Sequence, residues 1–228
     1  MKCMIFDAGP VISLTMNNLL WLLKPLKRKF GGEFCIPLSV KKELVDRPIR
    51  TKRFKYEALQ VMKQIKDGHL KVIQNDEIRK ETFKLLEVAN QIVKTKDEYF
   101  KLVHFGEMEA IALANQMGAE TIVVDERTTR LLIEEPEMLE KLMRKKLHTK
   151  VTINDDKLKE YHKLVGKKRF IRSIELVTIA YEMGLLNEFL PDLPHPKKEL
   201  LSAILWGVKL DGCAVSVKEI NSIERFER

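Results

Sequence analysis

The sequence predicts an α/β protein: a five-stranded, mostly parallel sheet with helices on both faces, followed by a helical C-terminal part. Short apolar segments alternate with longer amphipathic segments over the first two thirds of the 228 residues, as in parallel sheets covered by helices. The segment "TIVVD" is apolar throughout, which is typical of a central parallel strand. Beyond about residue 155 the amphipathic patterns are all helical, and they predict the C-terminal part.

Five short apolar segments are predicted to form the strands of this sheet. The first is followed at once by turn formers: Ala8 and Gly9 are small, and Pro10 suits the first position of a helix. Each segment is bounded by polar residues, glycine or proline, as strands commonly are. The five segments are residues 3–6, 33–37, 70–74, 121–125 and 150–154.

The segments between these strands are predicted to be helices because their apolar residues recur at helical spacing. A helix or helix pair before the second strand is broken near Pro25. A brief helix after that strand has Ser39 as its cap and stops before Pro48. Residues 77–95 form another predicted helix, and a short apolar helix begins at Gly106.

The change of pattern near residue 155 predicts two regions, a sheet domain over residues 1–153 and a helical extension over residues 154–228. No flexible linker, internal repeat or low-complexity tract separates them in the sequence, so we expect the extension to pack on the sheet domain. Ser216 and Glu219 form a capping box, which predicts the start of the last helix.

The composition favours a polyanionic partner. Lysine and arginine number 41 against 33 aspartates and glutamates, for a formal charge of +8, which favours nucleic acid over a membrane. The alternatives are that this charge only keeps the protein soluble, and that its many lysines and glutamates reflect a heat-adapted organism. Three cysteines without metal-ligand spacing exclude a disulfide framework or zinc site, and no apolar run approaches a membrane span. We therefore expect a soluble cytoplasmic protein.

Acidic side chains stand near the carboxyl ends of several predicted strands. These ends meet at one edge of a parallel sheet, so the carboxylates are expected to converge. Clustered carboxylates repel one another and suit Mg²⁺ or Mn²⁺ as hard oxygen ligands. Each also has a structural alternative, as a helix cap, a helix-dipole partner or a solvated surface residue. The residues are Asp7, Glu43, Glu107, Glu109, Asp125 and Glu126.

Four ordered segments resemble the PIN-domain nucleases: "MIFDAGPVISL", "CIPLSVKKEL", "GEMEAIALA" and "IVVDERTTR". The similarity covers residues 1–153 and is greatest to a branch with an Asp-Ala-Gly-Pro start and a Gly-Glu-x-Glu-Ala helix. It implies a five-stranded parallel sheet and metal-dependent cleavage of RNA, sometimes of structured DNA. Many bacterial and archaeal members of this family are toxins of toxin–antitoxin pairs, and others process ribosomal RNA.

The resemblance also implies roles for the acidic residues. The implied catalytic residues are Asp7, Glu43, Glu107, Glu109 and Asp125. The implied ligands of a two-metal site for Mg²⁺ or Mn²⁺ are Asp7, Glu107, Glu109, Asp125 and Glu126. Two registers stay open, because Glu107 and Glu109 point in widely different directions from one helix, and either Asp125 or Glu126 aligns with the last acid of the family. Gly9 stands where many relatives have a hydroxyl residue, and Glu126 where an aspartate is common.

A basic stretch after Glu43 is the predicted contact with RNA. We call its four cations the basic segment: Arg50, Lys52, Arg53 and Lys55. These would bind backbone phosphates, and Phe54 and Tyr56 beside them could stack on bases. The expected partners are RNA, a second copy of the chain, and an antitoxin or ribosome-related protein. The alternative functions are an inactive PIN fold that binds RNA or supports assembly, and the toxin of a toxin–antitoxin pair.

Overall fold

The computed structural model of the chain describes residues 2–96 and 98–226. Residues 1 and 97 of the predicted region 1–153, and residues 227–228 of the predicted region 154–228, therefore lie outside the described residues. The strands are β1 (Cys3–Phe6), β2 (Glu33–Pro37), β3 (Lys71–Ile73), β4 (Val93–Lys94), β5 (Thr121–Val123), β6 (Thr152–Ile153) and β7 (Arg169–Ile171). Five of them form a sheet of order β3–β2–β1–β5–β7 in which every pair is parallel. This confirms the predicted fold class.

Helices cover this sheet and form most of the C-terminal part. The helices that have eight residues or more and the one-turn helix after β2 have the following bounds. They are α1 (Ala8–Met16), α2 (Leu23–Phe30), α3 (Leu38–Lys41), α4 (Lys55–Lys66), α5 (Asp76–Ala89), α6 (Phe105–Gln116), α7 (Arg127–Glu134), α8 (Pro136–Leu147), α9 (Asp155–Val165), α10 (Ser173–Glu182), α11 (Pro196–Leu210) and α12 (Val217–Phe226). Among the described residues, no helix is both long and apolar enough to cross a membrane.

The position predicted for the fifth strand is wrong. Residues 150–154 supply only β6, which pairs antiparallel with β4 outside the five-stranded sheet. The fifth strand is β7, which pairs parallel with β5 and lies where the sequence predicted helices only. β7 has three residues and begins with an arginine, so no apolar run or alternation marks it. It becomes a strand because β5 offers it backbone hydrogen-bonding groups across more than forty intervening residues.

The central position of β1 in the sheet explains why its sequence is apolar throughout. Successive side chains of a strand point to opposite faces, and both faces of β1 are covered. Met4 and Phe6 pack in one hydrophobic core, whereas Cys3 and Ile5 pack in the other. All four side chains are therefore buried, as in other parallel sheets with two covered faces.

The C-terminal helices pack on the sheet. Ile174 and Val177 of α10 and Leu205 of α11 share a core with Met4 and Phe6 of β1, and both helices contact α1. The division at residue 153 stays a prediction, but a strand of the sheet and part of its core lie beyond it.

Two predicted helix starts have different outcomes. Ser216 and Glu219 form the predicted capping box, since the Ser216 amide donates to Glu219 Oε2 (2.8 Å) and the Glu219 amide donates to Ser216 Oγ (3.2 Å). Ser39 is not a cap, because α3 begins one residue earlier with Pro37 in the N-cap position. The helix continues through a π-helical turn, Lys42–Asp46, that holds Glu43.

Candidate active site

An acidic cleft of about 370 Å³ opens beside the residues that follow β1 and β5. Its described lining contains five carboxylates and neither lysine nor arginine, so its charge is strongly negative. Most of the lining comes from the first 126 residues, and one residue comes from the C-terminal part. The lining residues are Asp7, Ala8, Gly9, Ile12, Glu43, His104, Gly106, Glu107, Asp125, Glu126 and Gly212.

Asp7 is the acid that directly follows β1, and it is buried. It occupies the N-cap position of α1, yet its side chain makes no capping hydrogen bond, so the simple cap interpretation lacks its defining contact. The pKa of Asp7 is raised to about 7, mainly by burial and also by the charges of Glu107, Glu43 and Asp125, while a hydrogen bond from the Ala8 backbone acts to lower it. The pKa is therefore evidence that these four carboxylates share one electrostatic environment.

The two glutamates of α6 have different surroundings. Glu107 lines the cleft, and its Oε2 accepts from the His104 amide (3.0 Å) and from the Thr129 hydroxyl (3.1 Å). Burial raises the pKa of Glu107, as do the charges of Glu126 and Glu43. Glu109 does not line the cleft, and its Oε2 instead accepts from the backbone amide of Ser39 (2.8 Å). Its position therefore ties α6 to the first turn of α3.

Asp125 and Glu126 both line the cleft, but their side chains have different partners. Asp125 is only 2% exposed. Its Oδ1 accepts from the Ser173 amide (2.7 Å), and its Oδ2 accepts from the hydroxyls of Ser173 and Ser13 (2.8 Å each). Glu126 is exposed and caps α7, because its Oε2 accepts from the Thr129 amide (2.7 Å). Asp125 is thus held rigidly, whereas Glu126 is oriented only by its cap.

Glu43 is brought to the cleft by the π-helical turn after α3. Such turns are rare and frequently occur at functional sites. The side chain of Glu43 is exposed, and Glu43 lines the cleft together with Gly106 and Glu107 of α6. Of the six predicted acidic residues, the structure therefore brings Asp7, Glu43, Glu107, Asp125 and Glu126 to one cleft and places Glu109 outside it.

Three residues near the acids are absent from the sequence prediction. Ser13 lies one helical turn after Gly9, and this spacing could have placed it on the face of α1 that meets Asp125. Ser173 lies two residues after the end of β7, so it could not be placed while β7 was unrecognised. Gly212 lies in the turn after α11, and the Ala214 amide just beyond it donates to the carbonyl of Asp125 (3.1 Å).

The donor chemistry of the cleft fits a hard divalent cation. Carboxylate oxygens are the ligands that Mg²⁺ and Mn²⁺ favour, and a cation would offset the burial and repulsion that raise the pKa of Asp7 and Glu107. Within residues 2–96 and 98–226, no three His, Cys, Asp or Glu side chains already stand in metal-binding geometry. The cleft carboxylates other than Asp125, which its hydrogen bonds hold in place, would therefore have to turn for the cleft to hold a metal.

The basic segment lies beside the cleft. It runs from the short turn Pro48–Arg50 to the start of α4, and all four of its cations are exposed. It follows the π-helical turn that carries Glu43, with only a few residues between them. None of its four cations belongs to the described lining of the cleft.

One comparison with known proteins gives a result. A family model described as PIN domain matches residues 3–140, which is more than half of the chain and includes all six predicted acidic residues. The matched range ends before β7 and Ser173. No curated protein and no solved structure matches the chain.

Proposed function

The chain belongs to the PIN-domain family, whose members are generally nucleases, and from this premise we propose that it is a metal-dependent ribonuclease. The family membership supports a hydrolase with a nuclease-type fold. The observation that carries the finer proposal is that five carboxylates line one cleft whose described lining offers no lysine or arginine to balance them; the raised pKa of the buried Asp7 agrees with it. Such an arrangement favours an exchangeable cation as the missing positive charge.

In this proposal the cleft carboxylates bind the metal, and neighbouring residues position them or bind the RNA. Asp7, Glu107 and Asp125 would hold Mg²⁺ or Mn²⁺, with Glu43 and Glu126 at the more exposed side of the cleft. The bound metal would supply a water of lowered pKa as nucleophile and neutralise charge on the phosphate. Ser13 and Ser173 keep Asp125 in place through hydrogen bonds to its carboxylate, while the basic segment would bind neighbouring phosphates of RNA.

A second candidate function is an RNA-binding module without activity. The observation that favours it is the geometry of the acids, because no three potential ligands in the described parts of the chain are arranged around a common point. In addition, one carboxylate oxygen of Glu107 and one of Glu126 already accept hydrogen bonds from backbone amides at helix starts. A module of this kind would keep its affinity for RNA without cleaving it.

Cleavage of a labelled single-stranded RNA with added Mn²⁺ tests the two functions. We expect cleavage that EDTA abolishes, that Asp7→Asn abolishes and that Asp76→Asn leaves unchanged. Asp76 is a matched control, since it begins α5 two residues beyond another parallel strand and is exposed. Metal-independent cleavage, or full activity of Asp7→Asn, would contradict the ribonuclease proposal. Retained RNA binding without any cleavage by the unsubstituted protein would favour the module.

A further inference from the structure

A second cavity, of about 150 Å³, adjoins the acidic cleft. The two share Ile12 and Glu43 in their lining, so a molecule that occupies one comes close to the other. This second cavity lies between α1, the π-helical turn and the start of α4. Its lining residues are Ile12, Thr15, Met16, Glu43, Leu44, Pro48, Phe54, Glu57 and Val61.

The size and chemistry of this cavity suit one aromatic ring. Most of its lining is apolar, from the side chains of α1 and from Leu44, Pro48 and Phe54. A dry apolar cavity of roughly 150 Å³ can hold a benzene ring. Three lining side chains, those of Ile12, Met16 and Phe54, are also among the large hydrophobic residues that remain exposed, so the cavity is reachable from solvent.

Phe54 has an unusual backbone conformation for its residue type. Its φ is 61° and its ψ is 17°, in the left-handed region, which a bulky residue rarely adopts. Such conformations persist where the surrounding structure enforces them, and they cluster at binding and catalytic sites. Phe54 is still 41% exposed, so burial in the core does not explain why a phenylalanine stands there.

Positive charge accompanies the Phe54 ring. The guanidinium carbon of Arg53 lies 4.6 Å from the ring centroid, and the other cations of the basic segment flank it in the chain. A ring face beside a guanidinium group, with further cations next to it in the chain, matches a nucleotide, whose base is flat and apolar and whose phosphate is anionic. A purely apolar partner would make no use of this charge.

We propose that this cavity binds one unstacked base of an RNA strand, against the ring of Phe54, next to the phosphate placed in the acidic cleft. The proposal rests on the ribonuclease function and names the form of its substrate: RNA that is single-stranded at the cleavage position. The acidic cleft and this cavity meet at Ile12 and Glu43, so a base and a phosphate of neighbouring nucleotides can occupy them together. Paired RNA would keep its bases stacked and could not enter.

Position-by-position removal of bases tests the proposal. A single-stranded oligonucleotide is prepared in versions that each lack one base, and binding to the full chain with Asp7→Asn is measured by fluorescence anisotropy without metal. We expect one position to lose roughly five- to hundredfold in affinity, the range typical of base–aromatic stacking. Adding Phe54→Leu should lower affinity for intact RNA similarly and should abolish the additional loss at that position.

Two further variants separate base binding from structural effects. Phe83→Leu is the matched control, because Phe83 is also an exposed aromatic residue beside an arginine, Arg79, but it lies on α5, whose buried apolar residues belong to the other core. It should leave affinity and the positional profile unchanged. Phe54→Gly suits the left-handed backbone, so it should retain the thermal midpoint while weakening RNA binding.

The outcomes are distinguishable from those for the nuclease proposal. A positional profile that Phe54→Leu leaves intact would overturn the base-binding cavity, even if the protein cleaves RNA. A Phe54-dependent profile without any cleavage would support the cavity and contradict the ribonuclease. If Phe54→Leu instead changes the sedimentation of the protein and not its RNA affinity, the cavity belongs to an interface between two copies, and the base-binding proposal is wrong.

Discussion

Replacing Asp7 with asparagine should stabilise the protein near neutral pH, although it removes a predicted catalytic group. Asparagine keeps the shape of the side chain and the oxygen that accepts from the Ala8 backbone, but it carries no charge. The folded protein holds this carboxyl at a pKa of about 7, against 3.8 for an unperturbed aspartate, mainly because of burial. That difference corresponds to about 4 kcal/mol.

The sign of the effect depends on pH. Below pH 3.8 the carboxyl is protonated in both folded and unfolded chains, so its ionisation makes no difference. Between pH 3.8 and about 7 the folded protein keeps a proton that the unfolded chain releases, so stability falls as pH rises. Above about pH 7 the full destabilisation is present, and Asp7→Asn should remove it.

Thermal unfolding in EDTA over this pH range measures the effect. One kcal/mol shifts the midpoint of a chain of this size by about 2–4 °C, so Asp7→Asn should unfold about 10 °C higher than the unsubstituted protein near pH 8 and at a similar temperature near pH 4. Mn²⁺ should raise the midpoint of the unsubstituted protein near neutral pH more than that of the variant. Asp76→Asn is the control and should unfold like the unsubstituted protein at every pH. If the unfolding midpoints of Asp7→Asn and the unsubstituted protein differ by the same amount at every pH, the account of Asp7 is wrong.

Three other perturbations have specific expected outcomes. Glu107→Gln should reduce cleavage strongly in a folded protein, whereas Glu109→Gln should lower the unfolding temperature by weakening the bond to the Ser39 amide; equal unsubstituted-level activity and stability in both would exclude α6 from either role. The logarithm of affinity for single-stranded RNA should fall with log salt at a slope near −3, and alanine at all four positions of the basic segment should flatten it; an unchanged slope would place the RNA elsewhere. A chain ending at residue 153 should aggregate, because it lacks β7 and the C-terminal part of the core; a monodisperse, active product would make region 154–228 an accessory.

The sequence placed two acids correctly at the ends of strands with clear apolar signals, while their role in a site stays a prediction. Asp7 and Asp125 follow β1 and β5, and both line the cleft as expected for the carboxyl edge of a parallel sheet. The choice between Glu107 and Glu109 could not be made from spacing alone. It depends on the rotation of α6 against β2 and α3, which places one glutamate at the cleft and the other at the Ser39 amide.

The sequence by itself determined the alternation of strands and helices, the carboxylates at the ends of β1 and β5, and the basic segment, because these depend on local patterns of polarity and turn formation. Only the tertiary structure decided that β7 completes the sheet and that Ser173, two residues after it, donates hydrogen bonds to Asp125. It also decided that Gly212 reaches the cleft and that Phe54 borders a second cavity. These features arise from contacts between residues far apart in the chain, and the pattern around each of them carries no local signal of its partner.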